Sequence, residues 1–124
     1  MVVDDSASTR RITIRFLKLI GYEVIFEAAD GKEGLKKLKS KDIDLVITDW
    51  NMPNMTGLEL TRAIRSSDKL KHLPILMVTT RGLKQDIVEA LKARVNNYIV
   101  KPFTPPILKE KLNAVLKAVG MEQI

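Results

Sequence analysis

The sequence contains no cysteine, no apolar run approaching the ~20 residues of a membrane span, and only 5% aromatic residues. The first absence excludes disulfides and thiolate metal sites. The second excludes a spanning helix. No secretory signal opens the chain, so the expected location is the cytoplasm. The third, together with the lack of any recognition motif, argues against a nucleic-acid-binding module. Charge is plentiful, with 29% charged residues and a net charge of +6, yet no block of five like charges occurs. Scattered basic excess reads first as a solvated surface and only second as attraction to an acidic partner. No linker, repeat or low-complexity stretch divides the 124 residues, so one domain over 1–124 is expected.

What is present is a recurring pattern. Four separated segments each end an apolar run with a chemically useful group: Val2-Val3-Asp4-Asp5, Leu45-Val46-Ile47-Thr48-Asp49, Ile75-Leu76-Met77-Val78-Thr79 and Tyr98-Ile99-Val100-Lys101. Strands are expected over 1–4, 23–28, 44–48, 74–79 and 97–100, with helices over 7–20, 31–39, 57–65, 83–93 and 105–119. Four strands show little alternation, as expected where both faces are buried. The second, flanked by Glu23 and Glu27, looks like an edge. In the last helix Leu108, Leu112, Val115, Leu116 and Val119 share one face. Ser6 or Ser8 can cap the first helix, and Gly21 can stop it. Five βα units in succession imply a parallel sheet with helices on both faces and right-handed crossovers.

C-terminal strand ends meet along one edge of such a sheet, where open α/β folds bind ligands. Asp4, Asp5 and Asp49 would converge there. Clustered carboxylates repel, and a hard divalent cation offsets that repulsion. An open cluster suits Mg²⁺, which keeps several waters and completes its shell with phosphate oxygen. Each residue alone has a plainer reading. Asp5 could cap the first helix, Thr79 the fourth, Lys101 could be solvated, and Tyr98 could be a half-buried strand aromatic. Together, at one edge, they point to a site for a metal and a phosphoryl group.

Five motifs in order carry a resemblance: Val-Val-Asp-Asp-Ser, Ile-Thr-Asp-Trp-Asn-Met-Pro, Met-Thr-Gly, Met-Val-Thr-Thr and Asn-Asn-Tyr-Ile-Val-Lys-Pro-Phe. Along essentially its whole length the chain resembles the receiver domain of two-component response regulators, and among them the stand-alone chemotaxis regulators. The resemblance implies a flavodoxin-like, doubly wound α/β fold with five parallel strands in the order 2-1-3-4-5 and five helices. It implies that Asp49 is the phosphoacceptor. Asp4 and Asp5 would form the acidic pair for Mg²⁺, with Asp5 and Asp49 as direct ligands and the Asn51 backbone carbonyl beside them. Thr79 would grip the phosphoryl group, Lys101 would pair with it, and Tyr98 would be an aromatic switch that turns inward on activation. The Lys101–Pro102 peptide would be cis.

The function implied is signalling rather than enzymology, with at most self-catalysed phosphotransfer and autodephosphorylation. A histidine kinase would donate the phosphoryl group, and the phosphorylated protein would then bind a flagellar motor switch protein, with a phosphatase as a further partner. The chain is expected to be monomeric and to have no output domain after its last helix. A phosphorelay intermediate is the alternative within the family. An aspartyl phosphatase would want a second acid two residues after its nucleophile, where Asn51 stands.

Several positions depart from the family pattern. Arg81 stands two residues after Thr79, where similar chemotaxis regulators often carry Glu. With Asn51 it would frame the approach of water to Asp49. It is read as an unrestrained side chain at a solvent-facing mouth that slows hydrolysis. Arg94 stands where Gly commonly ends the fourth helix, a position that calls for left-handed backbone. The first strand is short, and the basic balance differs from the mildly acidic character expected.

Overall fold

A computed structural model describes residues 1–123. Its elements alternate as β1 (Val2–Val3), α1 (Ala7–Ile20), β2 (Glu27–Ala28), α2 (Gly31–Ser40), β3 (Val46–Thr48), α3 (Gly57–Arg65), β4 (Ile75–Thr79), α4 (Lys84–Lys92), β5 (Asn97–Val100) and α5 (Pro105–Ala118). All strands are parallel, in the order β2-β1-β3-β4-β5. The fold is therefore the doubly wound flavodoxin-like sheet that the motifs implied. β2 lies at an edge, as its flanking acids suggested, but it is short: Glu27 and Ala28 stand in register with β1, the Phe26 carbonyl accepts from the Val2 amide at 2.8 Å, and residues 23–25 lie before the ladder.

Side-chain alternation along the strands builds two cores. Val3, Val46, Ile75, Met77 and Tyr98 pack beneath Leu38, Leu60 and Ala90, on the side of α2, α3 and α4. Val2, Ile47, Leu76, Val78 and Ile99 pack against Leu17, Leu108 and Leu112, on the side of α1 and α5. Because both faces are covered, the strands carry aliphatic residues at successive positions rather than alternately.

Local chemistry sets the helix ends. Ser6 accepts a hydrogen bond from the Thr9 amide, and Asp30 accepts one from Glu33. Thr56 and Glu59 form a reciprocal capping box at α3. α4 begins at Leu83 with no side-chain cap. It ends in a six-to-one and five-to-two pair of backbone bonds, Val95 N–H to Ala90 C=O at 3.3 Å and Arg94 N–H to Leu91 C=O at 2.9 Å. That pairing requires left-handed backbone at the residue after the cap, and Arg94 adopts it with φ 73°. No helix among the described residues is long and apolar enough to cross a membrane.

Candidate functional site

Three of the strand ends bring the predicted chemistry together. Asp4 and Asp5 follow β1, Asp49 follows its neighbour β3, and Lys101 follows β5. Carboxylate oxygens of Asp4, Asp5 and Asp49 all lie within 4.8 Å of one another. Lys101 Nζ donates to Asp4 Oδ2 at 2.9 Å and to Asp49 Oδ2 at 3.2 Å. One ammonium faces three carboxylates, so the cluster keeps a net negative charge that favours a further cation.

The members differ in how firmly they are held. Asp4 is buried, and it accepts from the Ser6 amide at 3.0 Å and from the Thr9 hydroxyl at 2.8 Å. Asp49 Oδ1 accepts from the Trp50 amide at 2.6 Å. Asp5 is exposed and open to water. Hard oxygen donors of this number, one of them solvent-facing, fit a cation that keeps part of its hydration shell. Burial alone would pull the Lys101 ammonium below its ordinary pKa. The hydrogen bonds and charges of Asp4 and Asp49 outweigh burial and leave it raised.

Gly57 sets the loop that carries Asp49. A Cβ at this position would stand 1.8 Å from the Asp49 carbonyl oxygen, so only glycine lets the start of α3 lie against the backbone of the site. The Gly57 amide donates to the Trp50 carbonyl at 2.8 Å and closes that loop.

Thr79 is fully buried at the end of β4, and its Oγ1 lies 3.4 Å from the Arg81 amide. Tyr98 is turned inward and 8% exposed, and its hydroxyl donates to the Arg81 carbonyl at 2.6 Å. Burial pushes this phenol up to about 12, helped by the negative charge of Asp86 and opposed by Arg81. The Lys101–Pro102 peptide is cis. Asn51 is exposed beside Trp50, with its side-chain oxygen 3.4 Å from Arg81 Nη1.

The chain matches the response regulator receiver domain over residues 1–113. It belongs to that family. Receiver domains are signalling modules of two-component systems, and this one has strong likenesses among chemotaxis proteins. It is 53% identical over 117 residues to the chemotaxis protein CheY1 of Helicobacter pylori, covering 94% of each chain. The solved structure of Vibrio cholerae CheY4 is 41% identical with a TM-score of 0.84, covering 93% of this chain and 95% of that one. The CheY of the Borrelia burgdorferi CheX-CheY-BeF3-Mg+2 complex is 29% identical with a TM-score of 0.86, covering 93% of this chain and 86% of that one.

One expectation about this receiver domain is overturned. Arg81 is not an unrestrained side chain. Its guanidinium carbon sits 4.0 Å from the centroid of the Trp50 ring, and Nη2 pairs with Asp86 Oδ1 at 2.9 Å. The reason is tertiary: the loop after β4 lies beside the loop after β3, which supplies the ring, while the first turn of α4 supplies the acid. Reading the sequence also missed Thr9, whose hydroxyl buttresses Asp4, and Asp86. Thr9 lay within reach of discovery, because a threonine in the first turn of α1 sits close to the preceding acid pair. Asp86 had no comparable signal, since an acid in a first helical turn is ordinary dipole chemistry.

Proposed function

We propose that this chain is a phosphorylation-controlled response regulator that accepts a phosphoryl group on Asp49 from a histidine kinase and then binds a flagellar motor switch protein in chemotaxis. The observation that carries the reading is the Lys101 ammonium held between Asp4 and Asp49 beside the exposed carboxylate of Asp5. The likeness to chemotaxis regulators supports the choice of partner. A phosphatase is a further partner, and the protein works as a monomer in the cytoplasm.

Asp4, Asp5 and Asp49, with the Asn51 carbonyl, would hold Mg²⁺. When bound, the ion supplies positive charge to the phosphoryl oxygens and so lessens repulsion between donor and acceptor. A carboxylate oxygen of Asp49 attacks phosphorus, and the oxygen–phosphorus bond forms as the nitrogen–phosphorus bond of the donor histidine breaks. The departing imidazole nitrogen keeps the electron pair and takes a proton from solvent. Lys101 neutralises charge on the phosphoryl oxygens, and the Thr79 hydroxyl donates to one of them. Catalysis is then mostly positioning and electrostatics, which explains why no separate base is needed: a carboxylate is already ionised.

The new dianion shifts the population between two states of the face formed by α4, β5 and α5. Thr79 and Tyr98 form the switch. The inward Tyr98 tied to the Arg81 carbonyl is the arrangement expected of the active side of that equilibrium. Asn51 and Arg81 modulate the life of the acyl phosphate by framing the approach of water. The test is incubation with acetyl phosphate and Mg²⁺, followed by intact-protein mass spectrometry. One base-labile phosphoryl adduct, absent in Asp49→Asn, is expected; no adduct on the wild type refutes the reading.

A further inference from the structure

Asp86 is a carboxylate with little exposure, 11% at its side chain, on a helix that otherwise presents polar residues to solvent near its start. Part of its role is ordinary. It is the acid in the first turn of α4, whose Leu83 cap contributes no side-chain hydrogen bond, so it complements the helix dipole. A buried carboxylate also needs a partner, and Arg81 provides it at 2.9 Å. Arg81 in turn is seated on several sides. The Trp50 ring lies against its face at 4.0 Å, Asn51 Oδ1 stands 3.4 Å from Nη1, and its own carbonyl accepts from Tyr98. A guanidinium held over a ring and bonded at two of its nitrogens has its position set from more than one side, which a lysine ammonium would not match. Trp50 and Asn51 are the two residues that follow Asp49, so the seat is built partly on the loop that carries the acidic cluster.

We propose that Asp86 is a positioning residue: together with the Trp50 ring it seats the Arg81 guanidinium across the approach to Asp49, making a fixed shield that prolongs an acyl phosphate there. The proposal rests on the reading of Asp49 as phosphoacceptor. In the hydrolysis that it restrains, a water oxygen bonds to phosphorus opposite the Asp49 oxygen. The bond from that oxygen to phosphorus breaks, the carboxylate keeps the electron pair, and the water proton passes to phosphate or solvent. A seated guanidinium denies water that line. Asp86 belongs to α4, so the lifetime of the signal is tied to the position of the helix that carries the output.

The experiment compares wild type, Arg81→Ala, Asp86→Asn, the double variant and Asp86→Glu. Each is loaded with acetyl phosphate, the donor is removed, and loss of the adduct is followed by intact mass. Trp50 emission and the urea midpoint are recorded alongside. Arg81→Ala and Asp86→Asn are each expected to decay faster by roughly threefold or more, the scale of coupling between side chains in contact. The double variant should decay no faster than Arg81→Ala, and Asp86→Glu should recover part of the lifetime. Trp50 emission in Asp86→Asn should move toward that of Arg81→Ala. A wild-type decay rate in Asp86→Asn overturns the proposal, even with a lowered urea midpoint, because that is a purely structural role. Slower decay in Arg81→Ala also overturns it, since the arginine would then be assisting the water as a preorganised cation. Failure of the wild type to load refutes the phosphoacceptor reading and the shield with it, and the emission arm still decides whether Asp86 seats Arg81.

Discussion

Replacing Arg94 with glycine should make this protein more stable, although it removes a charged side chain from the C-terminal end of a helix. Arg94 sits after the cap of α4 at φ 73°, where its amide donates to Leu91 and the next amide, Val95, donates to Ala90. The buried Val95 closes the motif against the core. An L-residue held in left-handed backbone costs about 1–2 kcal/mol through its Cβ. Introducing glycine gives back ~0.4–1 kcal/mol by enlarging the unfolded ensemble. The arginine also gains a few tenths of a kcal/mol, roughly, from the helix dipole. That gain is countered by Arg65, which donates to the Arg94 carbonyl at 3.0 Å. Arg65 has its pKa lowered by burial first and then by the positive charge of Arg94.

The balance favours Arg94→Gly by ~0.5–1 kcal/mol. In urea unfolding followed by Trp50 fluorescence, this shifts the midpoint upward by about 0.3–0.7 M at a slope of ~1.5 kcal/mol/M, with the slope unchanged. Arg94→Ala is the control, because it removes the charge but keeps the Cβ. A glycine midpoint at or below that of alanine refutes the reasoning, since the strain would then not reside in the Cβ.

Mg²⁺ at millimolar concentration should change the fluorescence of Trp50, whose amide donates to Asp49, and Asp5→Ala should abolish that response; an unresponsive wild type contradicts the acidic-pocket assignment. Lys101→Ala should keep the fold but lose roughly 1–3 kcal/mol of stability without divalent cation, less than for a sealed ion pair because the side chains of Lys101 and Asp49 keep 14% and 15% of their exposure. The same variant, once phosphorylated, should fail to bind its target, and normal binding in a pull-down would remove Lys101 from the switch. Because the Tyr98 phenol is pushed up from 10 to about 12, chiefly by burial, the folded protein keeps a proton that the unfolded chain releases above pH ~10. Stability should therefore fall from that pH through about 12, and Tyr98→Phe should flatten the fall by up to ~1.4 kcal/mol per pH unit in urea titrations. An identical alkaline slope in both proteins would assign the loss to other groups.

Much of this molecule was legible in one dimension because the information is local or periodic. Runs such as Ile75-Leu76-Met77-Val78, apolar at successive positions, mean a strand covered on both faces, and repeated βα units mean a parallel sheet. Polar groups at strand ends then have to share one edge, so Asp4, Asp5, Asp49 and Lys101 could be assigned to one site before any distance was known. The left-handed backbone at Arg94 was signalled only by the resemblance, which commonly has glycine at this helix end, and the φ of 73° bears that out. Other features required the packed structure. How much of residues 23–28 joins the sheet depends on where β1 offers partners, and only the stretch from the Phe26 carbonyl to Ala28 finds them. The need for glycine at position 57 comes from the Asp49 carbonyl, which the fold presses against the start of α3. The restraint of Arg81 depends on a ring from one loop and a carboxylate from a helix, brought together by adjacent strands. Sequence patterns record which face a side chain takes; what it meets there is set by the packing of elements distant along the chain.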